Sequence, residues 1–371
     1  MNHPPLPRWA DIGLLPLINI FAALVVSGII IAFIGEDPFK ALNVMIQGAF
    51  VYKGALGYTL YYTTNFIFTG LAVAVAFHAS LFNIGGEGQA YIGGLGAGLA
   101  ILALDTVAPG LIVIPAAVIM AALFGAAWAY LPGYLQAVRG SHIVITTIMF
   151  NFIAASLMVS VLAGPLMREG QGAPETRLFE EAGRMPYIHE LLASIGIEVG
   201  RSPLNLSILI ALLACVVVWA IIWKTRFGYA VRVLGHSPGA ASYAGMDAKK
   251  LVIATMAISG ALAGLMATNT VMGEPHKVVL NFTGGYGFTG IAVALMGRNH
   301  PLGIVLASLL FGALYQGGTE LDFEFSTITR ETVQVVQGLI ILFCGALAYL
   351  FAPVLARSLS LVLPKPKQPE A

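Results

Sequence analysis

Ten apolar runs divide this chain, and their length sets what it can be. About 20 apolar residues in helical form cross the hydrocarbon core of a bilayer. The runs are Ile12–Ile34, Thr59–Ala79, Gly85–Leu104, Leu111–Leu131, Ile143–Ala163, Leu206–Trp223, Val252–Met272, Tyr286–Gly297, Leu302–Gly317 and Thr332–Phe351. Backbone polar groups inside lipid must find partners within the segment, which makes each run a helix. Charged residues are only 10% of the chain, against about 25% in soluble domains. The expected fold class is therefore all-α, a polytopic membrane helix bundle of about ten transmembrane helices. Tyr286–Gly297 is too short to cross unaided. Ile12–Ile34 is too long for a signal peptide and has no positive run before it, so it reads as a spanning helix.

Loop charge orients the bundle. With the N-terminus inside, Gly164–Asn205 falls outside and carries Glu169, Glu175, Glu180, Glu181, Glu190 and Glu198 against four arginines. Gly318–Glu331, also outside, holds Glu320, Asp322, Glu324 and Glu331 against Arg330. Inside lie Arg139, Arg298, the stretch Trp223–Leu251 and a tail with Arg357, Lys365 and Lys367. Basic excess marks the cytoplasmic side, so both termini are expected there. Gly35–Tyr58 is neutral, and its Phe39–Val51 part suits an amphipathic surface helix.

The chain also resembles itself. Gly85-Gly86-Glu87-Gly88 opens the third run after Asn83, and Gly284-Gly285-Tyr286-Gly287 opens the eighth after Asn281. Residues 1–371 read as one transmembrane domain, with a first repeat at 12–163 and a second at 205–356. Each holds five helices. Five is odd, so the repeats are inverted, and broken helices at matching places in inverted repeats point to a transport pathway.

The turn from His78 to Gln89 has no basic residue although it sits at an inner boundary, so it is expected to dip into the interior. Glu87 is then an acid inside an apolar region. It is either a pathway residue or a structural acceptor that fixes the broken helix on backbone N–H groups. Thr147 and Asn151, one turn apart with Thr146 beside them, face a pathway or act as helix–helix glue. Glu331, Gln334 and Gln337 share one face, suited to a polar route or to interhelical hydrogen bonds. His142 has no neighbour that would make it a metal ligand. Cys215 and Cys344 read as small core residues without a CxxC pair, and no metal site is expected. There is no GxxxxGK[ST], HExxH or GxSxG, so no catalytic residue is assigned and any ATP hydrolysis must come from another chain. No cofactor is expected in this chain. The net charge of +1 gives no sign of a nucleic-acid partner.

The basic stretch contains a short helix with signals at both ends. Ser237 caps its start, Pro238 suits the first helical position, Ala240, Ala241 and Ala244 favour helix, and Gly245 stops it. It is either an ordinary connection or a helix offered to a partner.

Three segments, Leu81–Gly98 (LFNIGGEGQAYIGGLGAG), Ser141–Ala154 (SHIVITTIMFNFIA) and Thr225–Met246 (TRFGYAVRVLGHSPGAASYAGM), resemble the permease subunits of bacterial ABC importers of the branched-chain amino acid and simple-sugar superfamily. The nucleoside and simple-sugar permeases are the nearest subgroup. Ser259–Ala267 and Gly287–Gly303 continue the likeness, which covers most of Thr59 to Phe351. Ile143 departs from it, standing where an acidic residue is expected after the histidine. The resemblance implies a second permease subunit, an ATP-binding cassette ATPase, an extracytoplasmic substrate-binding protein and a lipid bilayer as partners. It places the chain in the bacterial cytoplasmic (inner) membrane and implies alternating access. It makes 224–250 the cytoplasmic coupling segment. Gly235, Ser237, Pro238, Gly239, Ala240, Ala241, Tyr243 and Gly245 would form the coupling helix seated on the ATPase. The pathway residues expected are Asn83, Glu87, Gln89, Tyr91, Thr147, Asn151, Asn281, Thr283, Gln334 and Gln337, with Tyr91, Tyr286 and Phe288 able to stack on a base or simply to pack. The expected cargo is a nucleoside, with a pentose or other simple sugar as the alternative and a self-sufficient secondary carrier as a reading from another class.

Overall fold

The computed structural model describes residues 7, 9–167, 170, 172–343, 347 and 350–362. Its helices run α1 (Leu15–Ile34), α2 (Pro38–Ile46), α3 (Ala55–His78), α4 (Gly86–Leu104), α5 (Gly110–Arg139), α6 (Ile143–Leu162), α7 (Ile188–Ser194), α8 (Ser207–Lys224), α9 (Arg226–His236), α10 (Pro238–Tyr243), α11 (Ala248–Leu265), α12 (Ala267–Thr270), α13 (Tyr286–Met296), α14 (Pro301–Glu324), α15 (Arg330–Ile341) and α16 (Ala352–Val362). Among the described residues there is no β-strand, only two isolated bridges, Glu175 with Val279 and Tyr187 with Asn205. The chain is a polytopic helical membrane protein. Among the described residues seven helices are long and apolar enough to cross a bilayer: α1, α3, α5, α6, α8, the α11–α12 stretch Ala248–Thr270, and α14. The polar start and many glycines of α4 dilute its apolar character, and α13 is only 11 residues long, about 16 Å at 1.5 Å per residue. The tenth run, Thr332–Phe351, begins in α15; Cys344 and its neighbours 345, 346, 348 and 349 lie outside the described residues, as do Arg168, Glu169, Lys365 and Lys367.

The helices fall into two compact units. One joins the two ends of the chain, Met1–Ile46 with Gly317–Ala371. Here the Asp37 carboxylate accepts the Phe39 N–H at 2.8 Å and starts α2. A Cβ on Gly317 would fall 2.5 Å from the Met45 carbonyl oxygen, so α14 and α2 meet backbone to backbone. A cavity of about 400 Å³ lies between α1 and α2, lined by Phe21, Ser27, Gly28, Phe39, Met45 and Val336 among others. Gln334 is exposed on α15, and Gln337 is half-buried there.

The other unit, Gln47–Gln316, is built around α3. The membrane-length window of α3 is 83% buried, whereas those of α5 and α6 are 22% buried, so α3 is the core and the latter two offer apolar outer faces suited to lipid. Glycine sets the close crossings. A Cβ on Gly93 of α4 would fall 2.3 Å from Cα of Gly264 on α11, and one on Gly125 of α5 would fall 2.2 Å from the Gly260 carbonyl. Small residues at such crossings let backbones approach, which is how helices gain packing energy in lipid. At 30 residues α5 is about 45 Å long, more than a hydrocarbon core needs, and it ends at Gly140 in the left-handed region.

The 164–205 connection packs onto residues 272–279. The N–H groups of Thr176, Phe179 and Met185 donate to the carbonyls of Val278, His276 and Met272. Phe179 and Met185 are buried beneath it. Asp105, one residue past α4, holds Arg177 by two hydrogen bonds of 2.5 and 3.0 Å and accepts the Glu180 N–H at 2.9 Å. Lys277 and Glu175 pair at 2.7 Å.

Candidate functional site

The two glycine motifs meet. Gly85 caps α4 and Gly285 caps α13, the latter at φ 78 in the left-handed region. A Cβ on Gly287 would fall 2.3 Å from the Glu87 nitrogen, so the two helix starts touch through backbone and only glycine fits at 287. Glu87 closes this meeting as a clasp. Its Oε1 accepts the Gly285 N–H at 2.9 Å and its Oε2 accepts the Gly287 N–H at 2.8 Å, with Thr283 beside it. Free N–H groups and the positive dipole end of a helix both favour an anion, and Glu87 lies at two such ends at once. The geometry is that of the structural acceptor: both oxygens are engaged by backbone.

The turn that leads into α4 is held by amides. Asn83 and Gln89 exchange hydrogen bonds, 2.9 Å from Asn83 Nδ2 to Gln89 Oε1 and 3.1 Å in return. Asn83 also accepts the Gly85 N–H at 2.9 Å and donates to Ser259 Oγ at 2.8 Å, and Ser259 donates to the Ala72 carbonyl at 2.6 Å. All three side chains are buried. From α6, Asn151 accepts the Gly88 N–H and donates to the Ile84 carbonyl, both at 2.9 Å. Thr147 bonds back to the Ile143 carbonyl at 2.8 Å, and its Cβ packs where a Gly85 side chain would stand. These residues satisfy a non-helical turn that burial would otherwise leave with orphan polar groups.

Tyr91 and Asn281 join α4 to the segment before α13. The Tyr91 hydroxyl donates to Asn281 Oδ1 at 3.1 Å and accepts the Asn281 N–H, while its ring stacks on Phe282 at 5.1 Å between centroids. Beside the clasp, Tyr62, Tyr286 and Tyr315 form a triangle of rings with centroid separations of 6.2, 5.7 and 5.7 Å, backed by Phe66. The three tyrosines are half-buried, and Phe288 is exposed. Eight of the ten expected pathway residues, Asn83, Glu87, Gln89, Tyr91, Thr147, Asn151, Asn281 and Thr283, are thus gathered around the starts of α4 and α13. Gln334 and Gln337 belong to the other unit.

Sequence reasoning missed Ser259, Tyr62 and Tyr315, and it missed a buried amide chain. Asn269 donates to Asn65 Oδ1 at 2.8 Å and to the Tyr61 carbonyl at 2.9 Å, and accepts from Asn205 at 2.9 Å. The signal was there to read, since Asn65 and Asn269 each stand inside an apolar run.

The basic stretch folds as α9 and α10. Thr225 caps α9, accepting the Gly228 N–H at 3.0 Å, and Ser237 caps α10, accepting the Ala240 N–H at 3.3 Å. Pro238 is its first residue, Ala241 is buried, and Gly245 follows at φ 73. Gly239, Ala240 and Ala244 are exposed, Gly239 has nothing within 4 Å of a built Cβ, and Tyr243 is 97% exposed. Gly235 ends α9 against the end of α3, where its Cβ would fall 2.2 Å from the His78 carbonyl oxygen.

Comparison with known proteins identifies the family. The family described as "Branched-chain amino acid transport system / permease component" matches residues 55–345. The guanosine ABC transporter permease protein NupP of Bacillus subtilis is 36% identical over 90% of this chain and 93% of its own length. The nucleoside ABC transporter permease protein NupB of Lactococcus lactis is 33% identical over 89% and 90%. The glucose ABC transporter permease protein TsgB13 of Haloferax volcanii is 31% identical over 91% and 88%. No solved structure matches the chain. The chain belongs to the branched-chain amino acid transport permease family and is a membrane-spanning transport subunit of the ABC class, not an enzyme.

Proposed function

We propose that this permease imports nucleosides. The observation that carries the reading is likeness over about nine-tenths of the chain to permeases named for guanosine and for nucleosides. The site is in keeping with a neutral, polar, planar cargo. Both Glu87 oxygens are engaged by backbone, so the clasp presents amides, hydroxyls and tyrosine rings. Aromatic faces stack on bases, and amides serve a nucleoside's donors and acceptors. The glucose permease relative favours a second reading, a simple sugar moved in the same way.

The working assembly pairs this chain with a second permease in the bacterial cytoplasmic membrane, with both termini inside. An extracytoplasmic binding protein delivers the cargo, and an ATP-binding cassette ATPase seats α10 in a groove. The chain carries no cofactor of its own. ATP binding closes the ATPase pair, and the two permeases rock to switch the open side. The pathway passes Asn83, Gln89, Tyr91, Asn281 and Thr283.

The test is uptake of radiolabelled guanosine, uridine and glucose into reconstituted vesicles, with the chain alone and with its co-purifying partners, with and without ATP. Nucleoside uptake that needs partners and ATP is expected. Glucose uptake in place of nucleoside uptake selects the second reading. Ion-driven uptake by the chain alone overturns the dependence on an ATPase.

A further inference from the structure

The end of α3 is gripped from three sides. Gly235, the residue before the last of α9, stands in backbone contact with His78, since a Cβ there would lie 2.2 Å from the His78 carbonyl oxygen and 3.2 Å from the carbonyl carbon of Ala79. Ser80 Oγ donates to the Gly235 carbonyl at 2.7 Å. The His78 ring nitrogen Nε2 lies 3.1 Å from the Asn299 carbonyl oxygen, and the ring meets Trp223 edge-on at 5.0 Å. Ser80 is held at φ 55, a left-handed conformation that non-glycine residues adopt sparingly. The chain then runs into the Asn83 turn and reaches Glu87.

Hydrogen bonds hold that run to its neighbours. Asn83 is pinned to Gln89 and to Ser259 of α11, Gly88 is pinned to Asn151 of α6, and Glu87 holds Gly285 and Gly287. Close-packed, hydrogen-bonded elements pass on a displacement instead of absorbing it. The hydroxyl of Ser80 is exposed and fills no core space, yet it makes a side-chain hydrogen bond between the turn and α9.

We infer that the Ser80–Gly235 contact is the joint through which movement of α10 reaches the Glu87 clasp, with Ser80 as a positioning residue for transport. This rests on α10 being the seat of the ATPase. Motion that entered through α11 alone, which α10 also leads into by way of the Asp247 cap, would leave Ser80 without effect.

The experiment uses the full transporter in proteoliposomes with its ATPase and binding protein. ATP hydrolysis and uptake of labelled guanosine, or of glucose if the wild type takes that instead, are measured together. Ser80→Gly keeps the backbone conformation and removes the hydroxyl. It is expected to lower cargo moved per ATP roughly fivefold, the loss of about one hydrogen bond, with hydrolysis and membrane level unchanged. Ser80→Asn tolerates the left-handed backbone and carries a donor for the same carbonyl, so it restores the ratio. An unchanged ratio in Ser80→Gly, or hydrolysis and uptake falling together, overturns the joint. Gly239→Trp separates the two claims: placed in open space on α10, it is expected to uncouple hydrolysis from uptake. If it changes neither, the ATPase seat itself is wrong and the joint falls with it.

Discussion

Glu87 offers two oxygens to two backbone amides, and a carboxamide offers only one. In Glu87→Gln one of the Gly285 and Gly287 N–H groups meets an NH₂ group. A buried donor left without an acceptor costs about 1–3 kcal/mol. The variant is expected to insert, to unfold at lower temperature in detergent, and to transport several-fold more slowly. Unchanged stability together with unchanged flux refutes the clasp. A second residue gives a pH dependence. Burial alone would push the Asp105 carboxyl up, but the hydrogen bonds and charge of Arg177 and the Glu180 amide outweigh it and hold it below the usual range. Its folded value is thus depressed. The stabilisation it brings is present above the unfolded value of about 3.9 and is lost as the pH falls through the lower folded value. Asp105→Asn is expected to lower stability at neutral pH by about 2 kcal/mol, with hydrogen bonds to charged groups at stake. It is also expected to flatten the acid limb of the melting curve, and a parallel limb in variant and wild type refutes the assignment. Glu87 was legible in the sequence because a charge in an apolar stretch stands out. Its partners were not, because Gly285 and Gly287 contribute backbone N–H groups that any residue would have, from 198 and 200 positions away.

Among the elements, the spans read most directly from sequence. Ile143–Ala163 was expected and Ile143–Leu162 is found, and the short eighth run is the short α13. Both ends of α10 were legible from Ser237 and Gly245, since a capping hydroxyl and a left-handed glycine are local signals. The preceding α9 was not separated from the basic stretch, although Thr225 caps it in the same manner. Crossings were not legible either. Glycine abundance announced close approach somewhere, but only the fold pairs Gly93 with Gly264 and Gly125 with Gly260. The α4–α5–α11 crossing is therefore the place where one side chain does the most damage. A Cβ on Gly264 would fall 2.3 Å from the Ala121 carbonyl, which is backbone that cannot swing aside. Gly264→Leu is expected to abolish accumulation of folded protein, read by detergent gel filtration, whereas Gly239→Leu on open α10 leaves the elution unchanged.

At the scale of the molecule, loop charge predicts sidedness. In a background with Cys215 and Cys344 replaced by alanine, Glu190→Cys is expected to react with an impermeant maleimide added outside intact cells. Lys249→Cys is expected to react only after permeabilisation; the opposite pattern inverts the topology. Both positions are exposed. The halves also bear on how the chain is made. The carboxylate of Glu87 is synthesised 200 residues before the last amide it will hold. During that interval the two amides that Glu87 holds in the folded chain do not yet exist. The contact can form only once the chain has been made as far as Gly287. A product truncated before Gly285 lacks both amides, so the residue that joins the two helix starts also makes the first half wait on the second.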